Sequence, residues 1–144
     1  NINCSNFQKS KVFYEMLGFK VYWPVPETNT TEIANAVGMP SYQVEGALME
    51  LQNAQQRMVI DLLEWKSPRD DSSPYPNLHR PGLSRVALAS ADIDADYAYL
   101  VDQGVEVVSA PVNVAMSETS HARFFCFKDP DGTFLELVQV ITTD

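Results

Sequence analysis

Two distant stretches of this chain follow one plan. Asn6-Phe7-Gln8-Lys9-Ser10-Lys11-Val12-Phe13-Tyr14 leads to Leu17-Gly18-Phe19-Lys20-Val21. Much later, Asp92-Ile93-Asp94-Ala95-Asp96-Tyr97-Ala98-Tyr99-Leu100 leads to Gln103-Gly104-Val105-Glu106-Val107. Each reads as cap, amphipathic helix, glycine stop and strand. Ser5 with Gln8 fits a capping box, and Asp92 is a good N-cap residue. Gly18 and Gly104 stand where a helix ends in a left-handed residue. Ile93, Tyr97, Leu100 and Val101 are spaced to bury one helical face.

The flanking segments repeat as well. An apolar strand precedes each helix, Ile2 to Cys4 in the first half and Val86 to Ala89 in the second. Strands close each half: Val44 to Leu51 and Met58 to Glu64, then Ala122 to Phe127 and Thr133 to Val140. The last two are joined by Asp129-Pro130-Asp131-Gly132, a strong turn signal. The first half carries extra residues from Pro24 to Pro40, with a short helix expected over Thr30 to Val37. Lys66 to Pro81 holds four prolines and a run of Asp and Ser, and reads as a linker. The expected organisation is a single α+β domain over 1–144. Module one spans 1–65, the linker 66–81 and module two 82–144.

Composition narrows the partners. The chain has 144 residues, 45% of them hydrophobic, which suffices for a packed core. Nineteen acidic residues against ten basic give a formal net charge of −9. Nucleic acid, whose phosphates want clustered Lys and Arg, is disfavoured, and so are anionic membrane surfaces. No apolar run approaches the roughly 20 residues of a spanning helix, and no signal-peptide pattern is visible. The chain opens with Asn1 already inside a strand, so further residues are expected upstream. Cys4 and Cys126 form no C-x-x-C motif and read as reduced, buried thiols of a cytoplasmic protein.

Strand alternation sorts the polar residues by face. In Val86-Ala87-Leu88-Ala89 the larger pair should face the helix, which sends Arg85, Ala87 and Ala89 to the other side. In Ile60-Asp61-Leu62-Leu63, Asp61 goes to that opposite face. In Phe134-Leu135-Glu136-Leu137-Val138, Leu135 and Leu137 cover the helix and Glu136 faces away. In Phe124-Phe125-Cys126-Phe127, Phe124 and Cys126 are expected on the helix side, with His121, Arg123 and Phe125 opposite. Asp61, Arg85 and Glu136 thus interrupt apolar strands and look inward together. A buried charge is costly unless it is paired or bound. Two readings follow: a ligand site, or an ion pair of Arg85 with Asp61 or Glu136 that does no chemistry. His121 likewise reads either as a site residue or as a surface loop histidine.

The residues that carry this pattern also carry a resemblance. Gly82-Leu83-Ser84-Arg85-Val86-Ala87-Leu88, the Asp92 helix, and Phe127-Lys128-Asp129-Pro130-Asp131-Gly132-Thr133-Phe134-Leu135-Glu136-Leu137 look like the second module of vicinal oxygen chelate proteins, the glyoxalase/bleomycin-resistance/extradiol dioxygenase superfamily. Phe13-Tyr14-Glu15-Met16-Leu17-Gly18-Phe19 looks like the helix end of the first. The resemblance implies two βαβββ modules forming a curled, mostly antiparallel sheet around a shared cavity. In metal-dependent members, one residue on the first strand and one on the last strand of each module hold a divalent ion. Glu136 matches the usual Glu. Asp61 stands where Glu is commoner. Arg85 occupies a position where His is usual, and the module-one partner falls two residues before Asn1. A guanidinium offers only donors and cannot ligate a cation. His121 stands fifteen residues before Glu136, where extradiol relatives have an active-site His.

Three functions are compatible with these residues. The first is a binding protein for a small, partly hydrophobic or cationic molecule, in which Arg85, Asp61 and Glu136 join Arg123, Phe125, Phe134, Trp23 and Tyr42 around the ligand. The second is a lyase, epimerase or dioxygenase whose divalent metal is held by Asp61 and Glu136. The third is a metal-free enzyme, with Arg85 stabilising an oxyanion and Glu136 or His121 as base. The cofactor expectation is accordingly none or one divalent metal ion. A homodimer is expected, with the Thr30 to Val37 insertion contributing.

Overall fold

The repeat in sequence is a repeat of topology. The computed structural model describes residues 1–142. Module one runs β1 (Ile2–Asn3), α1 (Phe7–Met16), β2 (Phe19–Pro24), α2 (Thr31–Val37), β3 (Gln43–Leu51) and β4 (Val59–Ser67). Module two runs β5 (Val86–Ala89), α3 (Ile93–Asp102), β6 (Val112–Ala115), β7 (Ser120–Lys128) and β8 (Phe134–Thr142). The chain divides into two compact units between Ser72 and Ser73. Each holds one four-stranded sheet, in the orders β1-β4-β3-β2 and β5-β8-β7-β6. The order is the same in both. Only β1 with β4 and β5 with β8 run parallel, as the long helical crossover between them requires. The expected α+β fold of two βαβββ halves is present, with α2 as an addition to the first half.

One long helix covers one face of each sheet. In module one, Ile2, Ala47, Met49, Ile60 and Leu62 are buried on the α1 side. They meet Phe7 and Tyr14, and Tyr14 makes an edge-on contact with Phe19 at 6.0 Å. In module two, Leu88, Phe125, Phe127, Leu135 and Leu137 share a face by register and are buried with Ile93 and Leu100 of α3. Val101 is exposed, so the buried stripe of α3 is narrower than its spacing suggests. Gly18 and Gly104 follow the two helix ends with φ of 96° and 72°, the left-handed region that glycine enters without steric penalty.

Some local expectations are corrected. The N-cap of α1 is Asn6, whose Oδ1 accepts from Lys9 N at 2.9 Å; Gln8 instead donates to Glu45 at 2.7 Å. Asparagine outcompetes serine here because its carbonyl reaches the third helical amide in an extended backbone. The segment after Gly104 makes only an isolated bridge, Val107 to Phe127. The strand of that region is β6, further on. Asp92 caps α3 as expected, and Thr30, expected as the first residue of the short helix, is instead the N-cap of α2.

Each module also seats its helix from the sheet. Glu64 Oε2 accepts from the amide of Phe7, the first residue of α1, at 2.8 Å. Gln139 Oε1 accepts from the amide of Ile93, the first residue of α3, at 3.3 Å. Both acceptors stand three residues beyond the inward acidic position, Asp61 or Glu136, on the opposite strand face. The charge is distributed differently. The first turn of α1 has no acidic residue, and there the sheet supplies a carboxylate. The first turn of α3 has Asp94 and Asp96 besides Asp92, and there the sheet supplies a neutral amide. Either way negative charge meets the positive end of the helix.

Glu64 is almost fully buried and carries the rest of a network. Lys66 lies 2.7 Å and Arg69 3.3 Å from its Oε1, and Lys66 also reaches Glu45 at 3.0 Å. Arg69 further donates to Ser5 O, fixing the start of the linker against the β1–α1 corner. Burial pushes the Glu64 carboxyl up, but Lys66, the Phe7 amide and Arg69 outweigh it and hold the group below the usual carboxylate range. A lowered folded value means that its contribution is complete above the ordinary glutamate range and is lost as pH falls through the lowered value. We expect Glu64→Ala to destabilise module one by about 1–3 kcal/mol at neutral pH. The difference from wild type should shrink in acid, measured by urea unfolding from pH 7 downward. Gly46 gives a second expectation. A Cβ there would lie 2.5 Å from Leu63 Cδ2 and closer still to the Leu62 carbonyl, which cannot swing aside. Gly46→Ala should cost about 1–3 kcal/mol in thermal or urea unfolding, as overpacking does.

Candidate functional site

Because one helix covers only one face, the opposite face of each sheet is where the inward polar residues stand. In module two, β5 and β8 pair in parallel with Ala87 beside Glu136. Arg85 shares the parity of Ala87, and its Nε meets Glu136 Oε2 at 2.8 Å. The Glu136 side chain is 10% exposed and that of Arg85 42%. The carboxylate is therefore held inside, while the guanidinium extends outward. Among the described residues, the Nη groups of Arg85 have no hydrogen-bond partner. Of the two readings of Arg85, the pair with Glu136 forms, and it leaves donors to spare.

Cys126 completes this cluster, on the face opposite to the one that alternation within β7 predicts. Its Sγ lies 3.8 Å from Glu136 Oε2, because Cys126 opposes Glu136 across β7 and β8. Burial first, then the charge of Glu136, push its thiol up, so it stays protonated at neutral pH and donates weakly to the carboxylate. The signal was in the sequence. The Asp129-Pro130-Asp131-Gly132 turn, tied by Asp129 Oδ1 to the amides of Asp131 and Thr133, fixes Lys128 opposite Phe134 and hence Cys126 opposite Glu136.

The same register corrects β7. Phe125 opposes Leu137 on the α3 side, and its ring meets Tyr97 of α3 edge-on at 5.3 Å. Arg123 forks onto Asp94 of α3, Nη2 to Oδ1 at 2.8 Å. His121 lies in β7 and shares that face by parity. These three do not stand with Glu136. The run Phe124 to Phe127 is apolar on both faces and carries no alternation to read, so parity had to come from the partner strand. Phe134 does share the face of Glu136, and Lys128 Nζ stands 5.5 Å from its ring centre.

In module one the helix-free face holds Asp61, as expected. Asp61 opposes Leu48, which in turn opposes Trp23 across β3 and β2. Trp65 follows on the same face, with its Nε1 donating to Asn3 at 2.9 Å and the Tyr42 ring tilted against it, centroids 4.8 Å apart. Trp65 and Asn3 were absent from the candidate set. The Asp61 backbone carbonyl accepts from Asn1 Nδ2 at 3.0 Å. Its carboxylate Oδ1 is buried without any hydrogen-bond partner.

The residues of module two do not fit the ligand set of a divalent ion. Its first-strand position holds a cationic guanidinium, and that guanidinium occupies Glu136 Oε2. Among the described residues, no three His, Cys, Asp or Glu side chains gather as such an ion requires. The arrangement offers instead a polarised carboxylate beside outward N–H donors on an otherwise apolar face. Among the described residues, no helix is long and apolar enough to cross a membrane.

Comparison with known proteins agrees with this architecture. Among solved structures, a glyoxalase family protein from Bacillus cereus is 20% identical, with 97% of this chain and 90% of that chain covered and a TM-score of 0.76. A glyoxylase/bleomycin resistance protein/dioxygenase domain from Frankia sp. EAN1pec is 17% identical over 95% and 85%, with a TM-score of 0.66. The trypanothione-dependent glyoxalase I of Leishmania major is 17% identical over 96% and 81%, with a TM-score of 0.59. These likenesses bear on the fold. No curated protein matches the chain. The family model that matches residues 1–137 is specific in what it describes, and on that match the chain belongs to the Glyoxalase/Bleomycin resistance protein/Dioxygenase superfamily.

Proposed function

We propose that this chain binds a small, partly hydrophobic molecule on the helix-free faces of its sheets, without the complete metal-ligand set of the metal-dependent members. The observation that carries this reading is Arg85. It stands at the first-strand position of module two, ion-paired through Nε with a nearly buried Glu136 and presenting its Nη groups outward. A guanidinium anchored in that way is suited to meet a carbonyl or carboxylate oxygen of a ligand. Phe134, Ala87 and Ala89 on the same face supply apolar contact. The protonated Cys126 is no nucleophile in this reading. Glu136, locked to Arg85, orients the guanidinium.

The test uses phenylpyruvate, an aromatic 2-oxo acid, as probe. Titration calorimetry should show binding, and Arg85→Ala should weaken it by about 10- to 100-fold, the loss expected for charge-assisted hydrogen bonds of about 1.5–3 kcal/mol. Metal analysis of the purified protein separates the metal-dependent alternative. One equivalent of Ni, Zn, Mn or Fe that disappears in Asp61→Ala and Glu136→Ala would reject the metal-free reading. Turnover of phenylpyruvate lost in Arg85→Ala would point to catalysis by Arg85 and Glu136.

A homodimer in the cytoplasm belongs to the same proposal. Helix α2 leaves Ile33 and Val37, one turn apart, 43% and 54% exposed, which supports a further contact there. Both cysteines are buried, in keeping with a reducing compartment. Sedimentation velocity should show a dimer that Ile33→Asp converts to monomer; a monomeric wild type would remove this part.

A further inference from the structure

We infer that Asp61 seats a protonated amine, so that the helix-free face of module one takes an amine with an apolar body. This deepens the reading above and rests on it in one respect, that these faces bind a small molecule. The starting point is the Oδ1 of Asp61, buried and without a hydrogen-bond partner. A carboxylate only accepts, so whatever satisfies that atom must bring an N–H or O–H. The torsion that turns the carboxylate is soft, so Oδ1 can swing to a donor arriving on the strand face.

Among the described residues no group donates to that atom. Asn1 Nδ2 is spent on the Asp61 backbone carbonyl. Directly across the strand stands Leu48, which has nothing to donate. Arg57 is paired with Glu50 and lies over Tyr22. Lys66 and Arg69 serve Glu64 on the helix side, and Lys11 pairs with Glu15 on α1. On this inference the donor comes from a ligand.

The choice between donors follows from charge and number. A divalent ion needs several oxygen ligands, and no three acidic, His or Cys side chains gather among the described residues. An ammonium needs far less, since a single carboxylate can accept from it and balance its charge. The chain carries a net charge of −9, which draws small cations and repels anions. The surroundings fit an apolar body beyond the amine. Leu48 lies beside Asp61 and Trp23 beside Leu48, in one row across three strands, and Trp23 is 45% exposed. With strands about 4.8 Å apart, the row spans roughly 10 Å, the reach of an arylalkylamine whose ring meets the indole.

Both tryptophans of the chain, Trp23 and Trp65, stand on this face, so intrinsic fluorescence reads it directly. The probes are 2-phenylethylamine, 2-phenylethanol and 3-phenylpropionate, titrated into the wild-type chain at neutral pH. The amine should bind about tenfold or more tighter than the alcohol, and the acid weakest, as a charge-assisted bond predicts. Asp61→Asn should bring the amine down to the level of the alcohol and leave the alcohol unchanged, which also shows that the face is intact. Trimethyl(2-phenylethyl)ammonium, which is cationic but has no N–H, needs no variant; it should bind more weakly than the primary amine. Equal binding of amine and alcohol, an amine preference that survives Asp61→Asn, or a quaternary ion that binds as well as the primary amine overturns the assignment. If the amine series fails while phenylpyruvate binds in an Arg85-dependent way, only this inference falls. If phenylpyruvate fails too, the small-molecule reading falls with it.

Discussion

The parallel pairing of β5 with β8 places Arg85 against Glu136 on the face that α3 leaves uncovered. A carboxylate this deep in a sheet is unfavourable alone, and the guanidinium that neutralises it must come from the neighbouring strand. Nε serves that purpose, and the outer half of the guanidinium remains available. The same contact occupies one oxygen of Glu136 with a group that only donates. One pair thus joins the neighbouring strands β5 and β8 on the face that α3 leaves uncovered.

Module one meets the same topological problem with different residues. Its last-strand acid, Asp61, has no guanidinium from its own module and keeps an unsatisfied oxygen, beside two indoles that module two lacks. On the helix side the contrast reverses. There module one uses a charged anchor, Glu64, held by Lys66 and Arg69, and module two a neutral one, Gln139. Charge absent from the first turn of α1 is supplied by the sheet, and charge present in the first turn of α3 makes it unnecessary.

Much of this was legible in the residues. The two halves followed from caps, glycine stops and turn chemistry, and Val86 to Ala89 was placed to the residue. The faces of Asp61, Arg85 and Glu136 followed from alternation, since each interrupts an apolar strand. Alternation failed in β7, where Phe124 to Phe127 is apolar on both sides and nothing in the strand itself says which face turns in. Counting outward from the Asp129 to Gly132 turn would have set Cys126 against Glu136. The anchors Glu64 and Gln139 were not legible, because their partners are backbone amides far away in sequence. Nor was the strand β6, whose four exposed residues take their place from β7 rather than from a buried pattern of their own.

The last strand of each module serves two masters on its two sides. Three positions separate the inward acid from the residue that grips the helix, so they look in opposite directions and share no neighbours. Substitutions on one side can therefore accumulate without loosening the other. A half built this way can change its inward residues while the scaffold keeps its grip. That separation offers a physical reason why chains retaining only about a fifth of their residues in common can hold the same architecture.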